Sequence, residues 1–253
     1  AITRDGNWKD YFQRILKDLD PHVRNTIIIN YLVKATLLGV PKQHDMAEKI
    51  GVSVPWAILI DPTDRCNLRC TGCWAGEYTK KNDLSDELLD RVVGEARDLG
   101  IYFIVLSGGE PLTRQNTIFK LARKYKDMCF LAFTNGTLIT EETVKNMKEV
   151  GNFTVAFSLE GFKDSTDKRR GEGTFDKVMH AMSLMKEAGI PFGSSTCYTR
   201  YNIDEVGSDE YIQMLIDNGA YFNWYFTYVP VGKDADTTLM ATPEQREHMF
   251  HRV

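Results

Sequence analysis

The 253-residue sequence is defined first by what it lacks. Its opening residues, AITRDGNWKD, have neither the charged start nor the continuous apolar stretch of a signal peptide, which argues against secretion. There is no apolar run long enough to cross a bilayer. The most apolar early segment, Thr26 to Val40, is too short and is interrupted by Asn30 and Lys34, so it reads as a buried or interfacial helix. Low-complexity tracts are missing, and 43% apolar residues suit an ordered globular chain. Nor is there a basic excess: a formal net charge of −4 supplies no field for a phosphate backbone, so nucleic acid is excluded as a partner. Five cysteines are an odd number for a disulfide framework, and three of them crowd into eight residues while Cys129 and Cys197 stand alone in apolar runs as small buried hydrophobes. Reduced thiols in a cytoplasmic setting are expected.

What is present is a change of rhythm near residue 55. Before it the pattern is helical. Val23, Ile27, Ile28, Tyr31, Leu32, Ala35 and Leu38 recur at helical spacing, with Gly39 and Pro41 expected to close that helix, and residues 1–54 read as an N-terminal helical extension. From Pro55 onward, short β-rich runs alternate with helices: Trp56–Ile60, Tyr102–Leu106, Phe130–Phe133, Phe153–Phe157, Phe192–Tyr198 and Tyr221–Tyr228. Ser85 and Thr140 are placed to cap helices, and Thr242-Pro243-Glu244-Gln245 is a capping box. Six β-then-α units require parallel strands joined by right-handed crossovers, hence an α/β barrel or doubly wound sheet over residues 55–253. In either architecture the chemistry sits beyond the C-terminal ends of the strands.

The unusual residues fall at those ends. Cys66-Asn67-Leu68-Arg69-Cys70-Thr71-Gly72-Cys73 follows the first strand, and its offsets of four and three let one loop wrap three thiolates around a small inorganic core. Soft thiolates suit zinc or iron–sulfur equally. A structural zinc site wants four protein ligands, which His44 or another distant residue would have to complete, whereas three cysteines on a [4Fe–4S] cluster leave one iron open. No second CxxC pair exists, and none of the five histidines makes a ligand-spaced pair beside the cysteines. Arg65 and Arg69 flank the loop as candidate cations for an anionic cluster. Ser107-Gly108-Gly109-Glu110-Pro111 ends the second strand, where two glycines permit close backbone approach and Glu110 offers a carboxylate to an ammonium group. Thr134-Asn135-Gly136-Thr137 ends the third strand and Ser158-Leu159-Glu160-Gly161 the fourth.

Together, the CxxxCxxC loop after the first strand and the GGEP run after the second resemble the radical S-adenosylmethionine (SAM) superfamily, over roughly Pro55 to the C-terminus. The resemblance implies a partial (β/α)6 barrel, a [4Fe–4S] cluster on Cys66, Cys70 and Cys73, and SAM chelating the open iron through its amino and carboxylate groups. It further implies reductive cleavage of SAM to a 5′-deoxyadenosyl radical, which abstracts hydrogen from a substrate held over the barrel mouth. In that family the Ser107–Pro111 segment binds the methionine amino group, a serine or carboxylate at the fourth strand meets the ribose (here Ser158 and Glu160), and Asn135 lies among the polar groups at the barrel top. Arg169 or Arg170 is placed to meet the SAM carboxylate bidentately. The family usually has an aromatic residue just before the third cysteine, whose backbone helps hold adenine; this chain has Gly72 there, with Trp74 directly after as the aromatic candidate. Tyr225, Thr227 and Tyr228 are candidates for substrate contact, as are Ser195, Thr196 and Thr199 for the ribose or substrate side.

Beyond that the sequence leaves the substrate open among peptides, lipids and isoprenoids. An electron donor such as flavodoxin or ferredoxin is implied, and the apolar N-terminal helix fits a membrane surface or packing against the barrel equally. Two expectations stand for the chain, a minimal enzyme or the core of a longer one with a C-terminal auxiliary-cluster (SPASM-like) extension, and the second is favoured. A zinc-stabilised binding module and an inactive barrel scaffold are the competing classes.

Overall fold

The computed structural model describes residues 7–75, 81–232 and 235–252. Its centre is a six-stranded sheet, all parallel, with the strands side by side in chain order: β1 (Ala57–Ile60), β2 (Phe103–Leu106), β3 (Cys129–Thr134), β4 (Phe153–Ser158), β5 (Gly193–Tyr198) and β6 (Asn223–Thr227). Sequential order follows from the crossovers: every strand is joined to the next by a helical connection, and each such step carries the chain the same way round. The sheet curls into a partial barrel, as the sequence implied.

Helices over Asp86–Asp98, Gln115–Lys124, Glu141–Val150, Thr174–Glu187 and Asp209–Asp217 cover its outer surface. Their starts are fixed by the anticipated caps: Ser85 Oγ accepts from Leu88 N at 3.1 Å, and Thr140 Oγ1 accepts from Thr143 N at 3.3 Å. Near the C-terminal end, Thr242 and Gln245 exchange backbone-to-side-chain bonds at 2.9 and 3.2 Å, closing the capping box over helix Pro243–Arg252. Two apolar layers result from strand alternation. Ile104, Phe130, Phe153, Val155 and Phe157 face the helices, while Phe103, Val105, Cys129 and Leu131 fill the inside of the curl.

The N-terminal helices differ from expectation. Pro21–Ile28 does run on into Ile29–Leu38, but the second stretch has the wide turns of a π-helix, and the rod continues through Gly39–Ile50 to Gly51. Pro41 does not stop it because the wide turns reset the hydrogen-bond ladder: Pro41 falls in the first turn of the segment from Gly39, where a missing N–H costs nothing. The inner face of this rod plugs the barrel at the N-terminal ends of the strands. Ala35 joins the inner apolar cluster, Trp56 Nε1 donates to Ala35 O at 3.0 Å, and Asn30 Nδ2 donates to Lys126 O and Met128 O at 2.8 and 3.0 Å. Tyr31, Trp56 and Phe103 stack edge to face over the same end.

Candidate active site

At the opposite end, the two sequence motifs hold each other. Ser107 N donates to Ile60 O at 3.0 Å, Gly109 N to Thr63 O at 3.0 Å and Glu110 N to Arg65 O at 2.7 Å, so the GGEP run is laid along the stem of the cysteine loop. The glycines serve that approach: a Cβ at Gly109 would fall inside the Arg65 carbonyl. The close contact that the glycines allow is therefore with the chain's own loop. Glu110 is buried, and its oxygens accept from Leu112 N (3.0 Å), Thr134 Oγ1 (2.8 Å) and Asn135 N (2.7 Å). Burial pushes its carboxyl above the usual range, against the pull of those three donors. Glu110 thus ties the ends of β2 and β3 together, while Pro111 opens the short turn that it caps.

Around the thiols the partners are specific. Leu68 N donates to Cys66 Sγ at 3.4 Å, and Asn135 Nδ2, bonded to Asn67 Oδ1 at 2.8 Å, lies 4.0 Å from the same sulfur. Cys70 faces Arg170, whose Nη1 donates to its sulfur at 3.9 Å. Burial raises the Cys70 thiol pKa, and Arg170 draws it back. The flanking cations proposed from sequence take other roles: Arg65 donates through Nε to Asp83 at 3.0 Å, and Arg69 is exposed.

The decisive cations come from a helix that the periodicity does not reveal, Lys163–Arg170, because its sequence KDSTDKRR has no apolar stripe. It is stitched to the cysteine loop by Thr71 N donating to Arg169 O at 2.9 Å and Arg169 Nε donating to Thr71 O at 3.2 Å. Both arginines converge on Glu160, which is 1% exposed: Arg169 Nη1 at 2.7 Å and Arg170 Nε at 2.9 Å from Oε1. For Arg169, burial lowers the pKa and the Glu160 carboxylate raises it, with a net upward shift. Glu160 Oε2 is buried without a hydrogen-bond partner. An unanswered carboxylate oxygen beside two cations is an acceptor held ready for a donor-bearing ligand.

Ser158 is half-buried in register with Ser195 of β5. Cys197 lies farther along β5, where burial pushes its thiol up and Arg169 opposes. Of the other β5 candidates, Thr196 meets the Tyr211 hydroxyl at 2.9 Å on the outer side, and Thr199 bonds Asn202. On β6 the structure supplies the phase that the aromatic run leaves open in the sequence. Tyr225 turns outward and donates to Val206 O at 2.8 Å, so Trp224 and Phe226 face inward, each against Phe133. An open cleft of about 550 Å³ between the two sheet edges is lined by these rings with Leu59 and Val105. Tyr228 instead lies on the cysteine loop: a Cβ at Gly72 would sit 2.7 Å from its ring. Trp74 presents a half-exposed indole beside it.

The donor set suits a polynuclear cluster. Three thiols share one loop, and an arginine and an amide face two of the sulfurs.

Comparison with known proteins agrees. The Radical SAM superfamily model matches residues 60–216. The AdoMet-dependent heme synthase of Methanosarcina barkeri is 28% identical over 209 residues, covering 79% of this chain and 59% of that protein. A GTP 3′,8-cyclase of Clostridium perfringens is 28% identical over 200 residues, covering 74% of this chain and 59% of that protein. Among solved structures, Streptococcus suis SuiB bound to precursor peptide SuiA superposes with a TM-score of 0.70 at 20% identity, over 85% of this chain and 49% of that one. The chain thus spans little more than half the length of the relatives it matches. The matched residues cover more than half of the sequence and include both the cysteine loop and the GGEP run, so this chain belongs to the radical SAM superfamily, enzymes that use a [4Fe–4S] cluster and SAM.

Proposed function

We propose that Cys66, Cys70 and Cys73 hold the [4Fe–4S] cluster and that SAM is seated between Ser107–Pro111, Asn135, Ser158, Glu160, Arg170 and Trp74. The observation that carries this reading is the orphaned Glu160 oxygen, buried beside the arginine that also faces the Cys70 sulfur. When bound, the cluster and SAM together supply a 5′-deoxyadenosyl radical that removes a hydrogen atom from substrate. The chain's own contribution is placement. Arg170 sets a positive charge against a cluster thiolate, which favours the deprotonated ligand. Glu160 keeps both guanidiniums oriented and offers its second oxygen to a hydroxyl. Glu110 fixes the ends of β2 and β3, and hence Asn135 beside Cys66. The plug around Ala35 and Trp56 shuts water out from below, protecting a reactive intermediate.

For the substrate, the relatives' names span heme synthesis, GTP cyclisation and peptide maturation. The inward-facing Leu59, Val105, Phe133, Trp224 and Phe226 carry no charge, which supports a substrate that presents an apolar portion, such as a peptide side chain or a lipid-like chain, to the cleft.

Anaerobic reconstitution with iron and sulfide, followed by measurement of 5′-deoxyadenosine, tests this reading. Brown protein with about four irons at this site is expected, with formation of 5′-deoxyadenosine on reduction in the presence of SAM. Colourless protein retaining one zinc would establish a binding module, and a cluster that never cleaves SAM would establish a scaffold. Cys70→Ala protein making the product at the parent rate would overturn the ligand assignment.

A further inference from the structure

The rod that plugs the barrel has a second face, which leaves several large apolar side chains exposed among the described residues. Along Ile29–Leu38 most of the exposed residues are aliphatic, with Tyr31 and Thr36 among them: Leu32 is 51% exposed and Leu37 66%, and Ile29 is exposed too. The helix before it, Asn7–Asp18, adds a ridge at successive turns formed by Trp8 (61%), Phe12 and Leu16 (61%), while Tyr11 and Arg14 of the same helix pack inward on Tyr221. Arg24 Nη1 donates to Leu16 O at 2.6 Å, which ties the two helices into one surface. Scattered apolar residues on a surface need no explanation, but rows of large exposed apolar side chains on two linked helices mark an interaction site.

The charge pattern selects the occupant. Between Pro21 and His44 there is no acidic residue, while Arg24, Lys34 and Lys42 stand among the aliphatics. Residues 7–44 carry six Lys or Arg against three Asp, in a chain whose formal net charge is −4. The apolar ridge of Ile29, Leu32 and Leu37 offers no side-chain hydrogen-bonding group, which a protein partner's polar rim would need. Hydrocarbon needs none. No helix among the described residues is long and apolar enough to cross a membrane, so the arrangement suits lying on one.

We propose that this face docks on an anionic lipid surface: Leu32, Leu37 and the Trp8–Leu16 ridge enter the headgroup–acyl boundary, and Lys34 and Arg24 meet the headgroup phosphates. Since the inner side of the same rod closes the N-terminal ends of the strands, docking in this orientation leaves the cysteine loop, at the far end, in water and open to small cofactors. The proposal stands independently of the chemistry at that loop.

Flotation of the whole chain with vesicles of phosphatidylcholine alone, and of phosphatidylcholine mixed with phosphatidylglycerol, tests it. Binding to the mixed vesicles is expected, about tenfold weaker on the neutral ones and weaker again in high salt. Leu32→Ser with Leu37→Ser should lower binding by at least about tenfold. Lys34→Glu should weaken it on the anionic vesicles alone. Leu32 and Leu37 are exposed and Lys34 is half-buried, and circular dichroism together with unchanged iron loading would show that the variants fold; Leu16→Ser, on the other helix, gives a second reading. The proposal is overturned by absence of flotation, by equal binding to both vesicle types, or by a self-association that the double leucine variant abolishes, which would make the face a contact between copies of the chain.

Discussion

The two ends of this barrel are built on opposite principles. At the N-terminal ends of the strands, Ala35, Trp56, Phe103, Cys129 and Leu131 fill space with hydrocarbon and rings, and the few polar atoms, such as the Trp56 indole N–H and the Asn30 amide, are answered by backbone carbonyls. At the C-terminal ends, side chains answer one another in chains: Asn67 with Asn135, Glu110 with Thr134, Glu160 with Arg169 and Arg170, and Glu160 Oε2 is left over. The first end is a seal and the second a mould. The contrast teaches that the two ends of the same strands can be given over to different work, an apolar closure at one and a polar, charge-paired surface at the other.

Four measurements would break or sharpen that contrast. The largest difference expected is in thiol reactivity. Burial pushes Cys129 up to about 12, so at about pH 8 its thiolate fraction is roughly a thousandfold below that of an ordinary thiol. Iodoacetamide on native, iron-free protein, followed by peptide mass spectrometry, should leave Cys129 intact while labelling the loop cysteines; comparable labelling would mean that the seal leaks. Next is Gly109→Ala, which drives a methyl group into the Arg65 carbonyl and should cost about 3 kcal/mol or more in chemical denaturation, with loss of iron loading because the cysteine stem must move. Unchanged iron content would show that the two motifs are not mechanically joined.

Glu160→Gln is expected to be milder, about 2–4 kcal/mol, since it strips the shared counter-charge from two largely buried guanidiniums. If stability were unchanged, the arginines would have to find their compensation elsewhere. Smallest is Trp56→Phe. It removes the bond to Ala35 O and trims the ring packed against Tyr31 and Phe103, together about 1–2 kcal/mol, and should leave cluster loading untouched; a loading defect would erase the division of labour between the ends.

Much of this was legible in the sequence. The six strands, their parallel order and the caps at Ser85, Thr140 and Thr242 follow from local periodicity and hydrogen-bond chemistry, and the structure bears them out. So does the adjacency of the cysteine loop and the GGEP run, since consecutive strands put their C-terminal ends side by side. What stayed hidden depends on tertiary contact. Lys163–Arg170 is helical because it is bound at both ends, by Thr166 to the Glu160 backbone and by Arg169 to Thr71, and no hydrophobic stripe announces it. The phase of β6 could not be chosen because nearly every residue from Tyr221 to Tyr228 is aromatic, so alternation carries no signal there. Pro41 misled for a subtler reason: a proline reads as a stop only while the ladder before it keeps one spacing, and the wide turns ahead of it change that spacing.

The contact of the Tyr228 ring with Gly72 carries an evolutionary corollary. A bulky residue at 72 and a ring at 228 compete for the same volume, so the two sites are not free to drift separately. In sequences descended from a common ancestor with this one, enlargement at the position before the third cysteine should be accompanied by trimming at the end of the last strand, and the pair should be inherited as a unit.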